Sequence, residues 1–273
     1  MKDSGIDFLQ SIADGIPGTS LIGRNVQVYQ NVSSTNEVAK RLCQTHNSAG
    51  LVVVANEQTR GRGRRGSFWH SPPGVGLWFS VLLPQERSID LLGIYALTAG
   101  YSVANGIEAC TGKATELKWP NDVLLDRKKV SGVLIETFAM DNVCEGIIVG
   151  IGINVNQSSF PDKIRDIAIS LKQVCGNDIS RTELFFNVIQ ELENNYFRIQ
   201  KSELPDVIFE WKQKCPAINT AVVVQPNNRN VKGFFSDIDD MGRMIVQLEG
   251  GGQVAVTSND QVEYQESAYA SRY

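Results

Sequence analysis

The chain has 273 residues, of which 42% are hydrophobic and 21% charged, and its formal net charge is −4. That length suits one large domain, or one with a small companion, and the apolar content is enough to bury a core. No apolar run approaches the roughly 20 residues of a membrane span, the polar and acidic N-terminus has no signal-peptide core, and the mild acidity argues against a general nucleic-acid or membrane-surface partner.

Residues 4–14 read as a short helix. The S-T-N-E run at 34–37 has capping-box spacing and opens a helical pattern to about residue 45. LVVVAN at 51–56 is a buried strand by its β-branched run. An Arg/Gly loop follows at 59–72, then a second strand, GVGLWFSVLLP, ended by Pro84. Residues 89–110 read as a long, largely buried helix. ELKW, DVLL, KVSGVLIETFA and VCEGIIVGIGINV read as strands, with DRKK at 126–129 in a hairpin turn. Residues 161–174 are expected to be helical. A second capping box at 180–183 opens a helix to about residue 201, and a last helix covers 204–214.

After Pro216 the texture changes to short strands, AVVVQ, NVKGFFSDI, GRMIVQL and QVAVTS, separated by Asn, Asp and Gly turns. This is a small barrel of about 50 residues, a size that is marginal alone and is expected to lean on what precedes it. The strand–helix mixture lacks a regular βαβ alternation. The expected fold is therefore α+β, a mixed, largely antiparallel sheet with helices packed on it. The expected division is an N-terminal extension at 1–22, a catalytic domain at 23–215 and a small C-terminal β-barrel at 216–273.

Five cysteines, Cys43, Cys110, Cys144, Cys175 and Cys215, are odd in number and include no C-x-x-C. A disulfide framework and a zinc site are both disfavoured. His46 and His70 lack metal-ligand spacing, so no protein-built metal site is expected, and a reducing cytoplasm is the simplest compartment.

The loop TRGRGRRGSFWHSP carries four arginines, Arg60, Arg62, Arg64 and Arg65, on an acidic chain. Its GRGRRG matches G-x-G-x-x-G in letters. A dinucleotide fingerprint also needs a helix opening from the glycines, and SFWHSPPG, with two prolines before a strand, supplies none. The kinase motifs H-R-D and D-F-G are absent, as is a P-loop. A nucleic-acid patch is a second reading, but one short cluster is a small footprint. The third reading is a mobile anion-binding loop in an active site. Glycines let the backbone fold over a ligand, and guanidinium forks bind carboxylate and phosphate. A solvated loop with incidental charge does not account for so many like charges close together.

Four segments in order, SSTNEVAK, EQTRGRGRRGSFWHSPPGVGLWFS, KWPNDVLLDRKKVSGVLIE and VGIGINVN, resemble the biotin–protein ligases. They span 33–156, and the small C-terminal unit fits the SH3-like barrel that ends such enzymes. The resemblance implies a cytoplasmic ATP-dependent ligase that uses Mg²⁺ and ATP to convert biotin to biotinyl-5′-AMP. It then transfers biotin to a lysine of a biotin carboxyl carrier domain of a biotin-dependent carboxylase. A lipoate or octanoate ligase or transferase of the same superfamily is the rival enzyme, and a non-catalytic biotin-binding module the rival of another class.

By this resemblance Ser34, Thr35, Asn36 and Gln58 face the biotin head group. Arg62, Gly63 and Arg64 contact its carboxylate and the phosphate. Trp69 lies against the adenine or lines the closed loop, and Asn121 and Asn154 face the nucleotide. Lys129, immediately before Val-Ser-Gly, sits between the biotin carboxylate and the α-phosphate, where a cation stabilises developing charge. Lys129, Arg64 and Asp122 form the catalytic set, with Asp122 either orienting the incoming lysine, accepting its proton, or only capping a turn. The competing readings are a helix cap for Ser34, compatible with the ligand role, an exposed polar residue for Gln58 and a core aromatic for Trp69. Arg60, Arg65 and His70 receive no role. The resemblance leaves the acceptor and a homodimer open, and the short N-terminal stretch implies no operator binding.

Overall fold

The structure, a computed structural model, describes residues 5–13, 15–43, 48–84, 92–140, 143–201, 203–226 and 229–265. Residue 4 and residue 14 of the first expected helix, the end of the second near residue 45, His46, and the start of the third at 89 lie outside these residues.

The main sheet has seven strands. They are β1 (Val26–Val32), β2 (Val52–Gln58), β3 (Gly76–Pro84), β4 (Glu116–Lys118), β5 (Asp122–Leu125), β6 (Lys128–Met140) and β7 (Val143–Asn154). Their order is β1-β2-β3-β7-β6-β5-β4. Only β1 and β2 run parallel, and every other neighbouring pair is antiparallel. The sheet is mixed and largely antiparallel, as the sequence predicts. β1 itself is not anticipated, because VQVYQNV alternates without a strong apolar face.

Side chains alternate across a strand, so each strand divides its residues between two layers. In β3, Leu77, Phe79, Val81 and Leu83 enter the main core, as do Ile147, Val149, Ile151 and Ile153 of β7. That core lies under α1 (Gly5–Ala13), α3 (Leu92–Thr111), α5 (Arg181–Gln200) and α6 (Leu204–Gln213). α2 (Thr35–Leu42) packs on β2, β3 and β7 from the opposite side, over Val53, Ala55, Leu82 and Ile148. β2 is thus buried on both faces, which is why its sequence is a continuous apolar run.

The expected helix at 161–174 forms only in its last turn. The backbone at 167–169 is captured by the start of β6 instead: Lys129 N donates to Ile167 O at 2.8 Å and Ile169 N to Lys129 O at 3.0 Å. Helix begins only at α4 (Leu171–Cys175), where Ser170 and Gln173 make a reciprocal capping box. At α5 the Ser180 side chain accepts from Glu183 N as predicted. At α2, Ser34 occupies the N-cap but makes no side-chain cap hydrogen bond, so the capping-box reading of that stretch is corrected.

The C-terminal unit comprises β8 (Ala221–Val224), β9 (Val231–Ile238), β10 (Met244–Leu248), β11 (Gln253–Val256) and β12 (Val262–Tyr264) in the order β11-β10-β9-β8-β12. It is a five-stranded antiparallel sheet of the SH3-like kind. β11 and β12, at its two ends, do not pair among the described residues, so the barrel is open. It leans on the main sheet through the segment before β5. Trp119 Nε1 donates to Gly242 O at 3.0 Å, and the Tyr264 hydroxyl to Trp119 O at 3.2 Å.

Candidate active site

The face of the sheet opposite the main core carries small residues in register. Trp78 pairs with Gly152 and Gly152 with Gly132; Ser80 pairs with Gly150 and Gly150 with Leu134. Glycine is required here by close approach. A Cβ on Gly150 would collide with the Asn36 amide, and one on Gly152 with the Trp69 indole. These glycines form the floor of an open cavity of about 890 Å³. The walls come from the Arg loop, the start of α2, the segment at 163–168 and the C-terminal sheet, including Val223, Val262 and Tyr264.

All the predicted site residues line this one cavity: Ser34, Thr35, Asn36, Gln58, Arg62, Gly63, Arg64, Trp69, Asn121, Asp122, Lys129 and Asn154. At one end lies a chain of polar contacts. The Gln58 amide oxygen accepts from Thr35 N at 2.9 Å and from Thr35 Oγ1 at 3.2 Å, while Gln58 Nε2 donates to Ser71 Oγ at 3.0 Å. Gln58 is therefore buried and held, not an exposed polar residue. Ser80 Oγ lies 2.7 Å from Thr35 Oγ1 and 2.5 Å from Asn36 Oδ1. With Thr35's proton given to Gln58, the single Ser80 proton serves only one of these two oxygens. The other is an acceptor in want of a donor, which a ligand N–H would satisfy.

The Arg loop is a hairpin-like tongue. Gln58 bridges Ser71 and Arg62 bridges Phe68, Trp69 N donates to Gly61 O at 2.9 Å and Gly63 N to Ser67 O at 2.7 Å. Arg65, at φ 54°, and Gly66, at φ 74°, turn the tip. Its arginines diverge. Arg62 Nη2 lies 2.8 Å from both Glu37 and Glu136. Arg64 donates to Asn121 Oδ1 at 3.1 Å and, closely, to Ser258 O, while Arg65 reaches Asn259 O at 2.9 Å. Burial lowers the Arg64 pKa, an effect the Asp122 carboxylate opposes and Arg65 reinforces. A half-desolvated guanidinium of this kind favours an anionic ligand.

Lys129 Nζ forms an ion pair with Asp122 Oδ1 at 2.6 Å, and both side chains are largely buried, with 14% and 7% exposed. The ammonium also lies 5.4 Å from the centre of the Trp69 ring. Trp69 packs edge-on against Trp78, and its Nε1 is buried without an acceptor among the described residues. Asn121 donates to Val133 O at 2.5 Å and Asn154 to Lys129 O at 3.4 Å, so both amides brace the strands around Lys129. Gln157 Nε2 donates to Asn154 Oδ1 at 3.2 Å.

Sequence reading missed Lys118, whose ammonium lies 5.0 Å from the centre of the buried Tyr264 ring. Burial pushes its pKa down to about 8, Asp122 opposing and Lys129 adding to the shift. It also missed Ser80, Glu136, and the walls from 163–168 and the C-terminal sheet. The alternation in GIGIN and SGVLIE carried the signal for the floor: Gly150, Gly152 and Asn154 share one face, as do Gly132, Leu134 and Glu136. Nothing in the sequence pointed to the C-terminal wall.

A family model for the biotin/lipoate A/B protein ligase family matches residues 28–154, and one for the biotin protein ligase C terminal domain matches 217–260. Among curated proteins, a bifunctional ligase/repressor BirA of Bacillus spizizenii is 35% identical over 236 residues, 85% of this chain and 72% of that protein. A biotin–[acetyl-CoA-carboxylase] ligase of Mycobacterium tuberculosis is 28% identical over 93% of this chain and 94% of its own. Among solved structures, biotin protein ligase from Aquifex aeolicus in complex with biotin and ATP superposes with a TM-score of 0.78 at 32% identity, covering 89% of this chain and all of that one.

Proposed function

The chain belongs to the biotin/lipoate A/B protein ligase family, and from that premise we infer that it is a biotin–protein ligase. It is an ATP-dependent enzyme that binds biotin and ATP, and its macromolecular substrate is a carboxylase biotin carrier. The observation that carries this reading is the convergence of every residue implicated by the sequence on one cavity.

The reaction has two steps. A biotin carboxylate oxygen attacks the α-phosphorus of ATP, a P–O bond forms, and pyrophosphate leaves. The carrier lysine's amine then attacks the acyl carbon, and AMP leaves. Two anions must meet in the first step, and fixed cations reduce that repulsion where water is excluded. We assign that task to Lys129 and Arg64, two of the cations bordering Asp122 in the cavity. Thr35, Asn36 and Gln58, with Ser34 beside them, are proposed to receive the ureido head group, an assignment supported by the acceptor left short of a proton between Thr35 and Asn36. Gly63 lets the tongue approach the ligand. Trp69, Asn121 and Asn154 are proposed for the nucleotide side; Arg62, expected at the biotin carboxylate, is held beside Asn36 by Glu37 and Glu136 and is proposed instead to seat the tongue over the head-group end.

Asp122 is proposed to hold Lys129 in the first step and to accept the carrier amine's proton in the second. Mg²⁺ belongs to the proposal as a companion of the triphosphate, since it binds chiefly phosphate oxygens, waters and one or two carboxylates; Asp122, Asp260 and Glu263 are the carboxylates among the described residues that line the cavity. The division of the chain at residues 215 and 216, a homodimer, and a cytoplasmic place of action without nucleic-acid partners are proposed with it. No described helix is long and apolar enough to cross a membrane.

ATP–pyrophosphate exchange by the purified protein, with biotin, lipoate, octanoate or no acid, tests the reading. Exchange with biotin alone is expected. Exchange with lipoate instead would move the protein to the sister activity, and biotin binding without exchange would make it a binding module.

A further inference from the structure

Glu136 lies on the cavity-facing side of β6, behind the residues that line the cavity. One of its oxygens, Oε2, accepts from Asn36 Nδ2 at 2.7 Å and from Arg62 Nη2 at 2.8 Å. Arg62 is shared with Glu37, also at 2.8 Å. The carboxylate therefore joins two segments far apart in sequence: the start of α2 and the arginine tongue.

The electrostatics at Asn36 are asymmetric. A carboxylate is acceptor-only, so it takes the amide's nitrogen end and repels its oxygen end. The opposite end of the amide, Oδ1, is then turned toward Ser80 and the floor at Gly150. A flipped amide would set Oδ1 against a carboxylate oxygen and Nδ2 against the Ser80 hydroxyl, whose one proton could then go only to Thr35. The charge on Glu136 thus decides which face of Asn36 a ligand meets. The same oxygen is largely committed when Arg62 is home, so a tongue that lifts removes a compensating cation from it.

We propose that Glu136 is a positioning residue for the reaction: it orients the Asn36 amide so that its oxygen accepts a ureido N–H, and it links that orientation to the seating of Arg62. This rests on the biotin–protein ligase reading. Glu136 touches neither substrate nor reacting atoms; it acts through Asn36 and Arg62.

The test is the steady-state ATP–pyrophosphate exchange of Glu136→Gln and Glu136→Ala beside the wild type, with KM measured for biotin and for ATP separately. Loss of a charge-assisted hydrogen bond predicts a biotin KM raised about tenfold or more in Glu136→Ala. Glu136→Gln, which keeps an acceptor oxygen but lets the Asn36 amide flip, should fall between Glu136→Ala and the wild type. In both variants kcat and the KM for ATP should stay within about twofold of the wild type. Retained kcat also shows that the variants fold. Tryptic cleavage within the tongue should become faster in Glu136→Ala, since Arg62 has lost one anchor. Unchanged biotin KM in both variants overturns the proposal, and so does a fall in kcat with biotin KM unaltered. Absence of biotin-dependent exchange in the wild type would instead overturn the functional reading itself, so the two failures are distinguishable.

Discussion

Replacing Lys129 by alanine separates its structural from its chemical contribution. The Lys129–Asp122 pair spans 2.6 Å, with 14% and 7% of the two side chains exposed. Removing one member of a buried pair costs about 3–5 kcal/mol, because a charge is left without compensation. Here Lys118 and Arg64 still act on Asp122, and the shortened side chain admits water, so we expect roughly 1–3 kcal/mol. At about 2–4 °C per kcal/mol for a chain of this size, Tm should fall by several degrees. Lys129→Ala with Asp122→Ala removes the stranded carboxylate but also the compensation it gives Lys118 and Arg64, and should recover only part of that loss. Activity should behave otherwise. Loss of a preorganised charge at the reacting atoms lowers kcat by about 10²–10³-fold, and the double variant should remain as slow as the single one. Thermal melts and ATP–pyrophosphate exchange on the three proteins read both quantities. An unchanged melt in Lys129→Ala would refute the ion-pair energetics, and near-normal exchange would remove Lys129 from the chemistry.

Arg64→Gly removes the tongue's bonds to Asn121 and Ser258 and should speed dissociation of biotinyl-5′-AMP at least about tenfold; an unaltered off-rate in a filter-binding chase would contradict closure by the tongue. Ser34 makes no cap hydrogen bond, so Ser34→Ala should avoid the cost of about 1 kcal/mol that loss of a true cap brings. Its biotin KM should nonetheless rise several-fold, and a large drop in Tm with normal KM would reverse that assignment. Lys118, with a pKa lowered to about 8 from 10.5, binds fewer protons folded than unfolded between those pH values. Its burial therefore disfavours the fold most at and below pH 8, and that penalty is relieved as pH rises toward 10.5. Lys118→Met should gain stability relative to the wild type at pH 7 and lose the advantage toward pH 10; a difference independent of pH would show that burial does not govern this lysine.

Local chemistry carried much of the fold. The β-branched run at 51–56 became β2, Pro84 ended β3, and the D-R turn at 126–127 took the positive φ values of a tight hairpin. These are decided by steric and propensity effects within a few residues, which a sequence states directly. The site motifs were legible for a related reason. A site that must bind an anion needs clustered arginines, and a floor that admits a ring needs glycines at alternate positions, so both leave marks in adjacent letters.

Other features depended on partners distant in the chain. Residues 161–174 have a helical pattern, yet hydrogen bonds from Lys129 capture 167–169. Ser34 has capping spacing but lines the cavity instead of capping α2. Glu136 is an unremarked acidic residue in a strand until folding brings Asn36 and Arg62 to one of its oxygens. The wall supplied by Tyr264 and the anchor at Ser258 exist only because the C-terminal sheet docks beside Trp119. The sequence by itself determined the family, the main strands and the identity of the cavity's first residues. Tertiary structure alone decided which carboxylate meets which cation, because such pairings depend on distances across the fold, and spacing along the chain does not encode them.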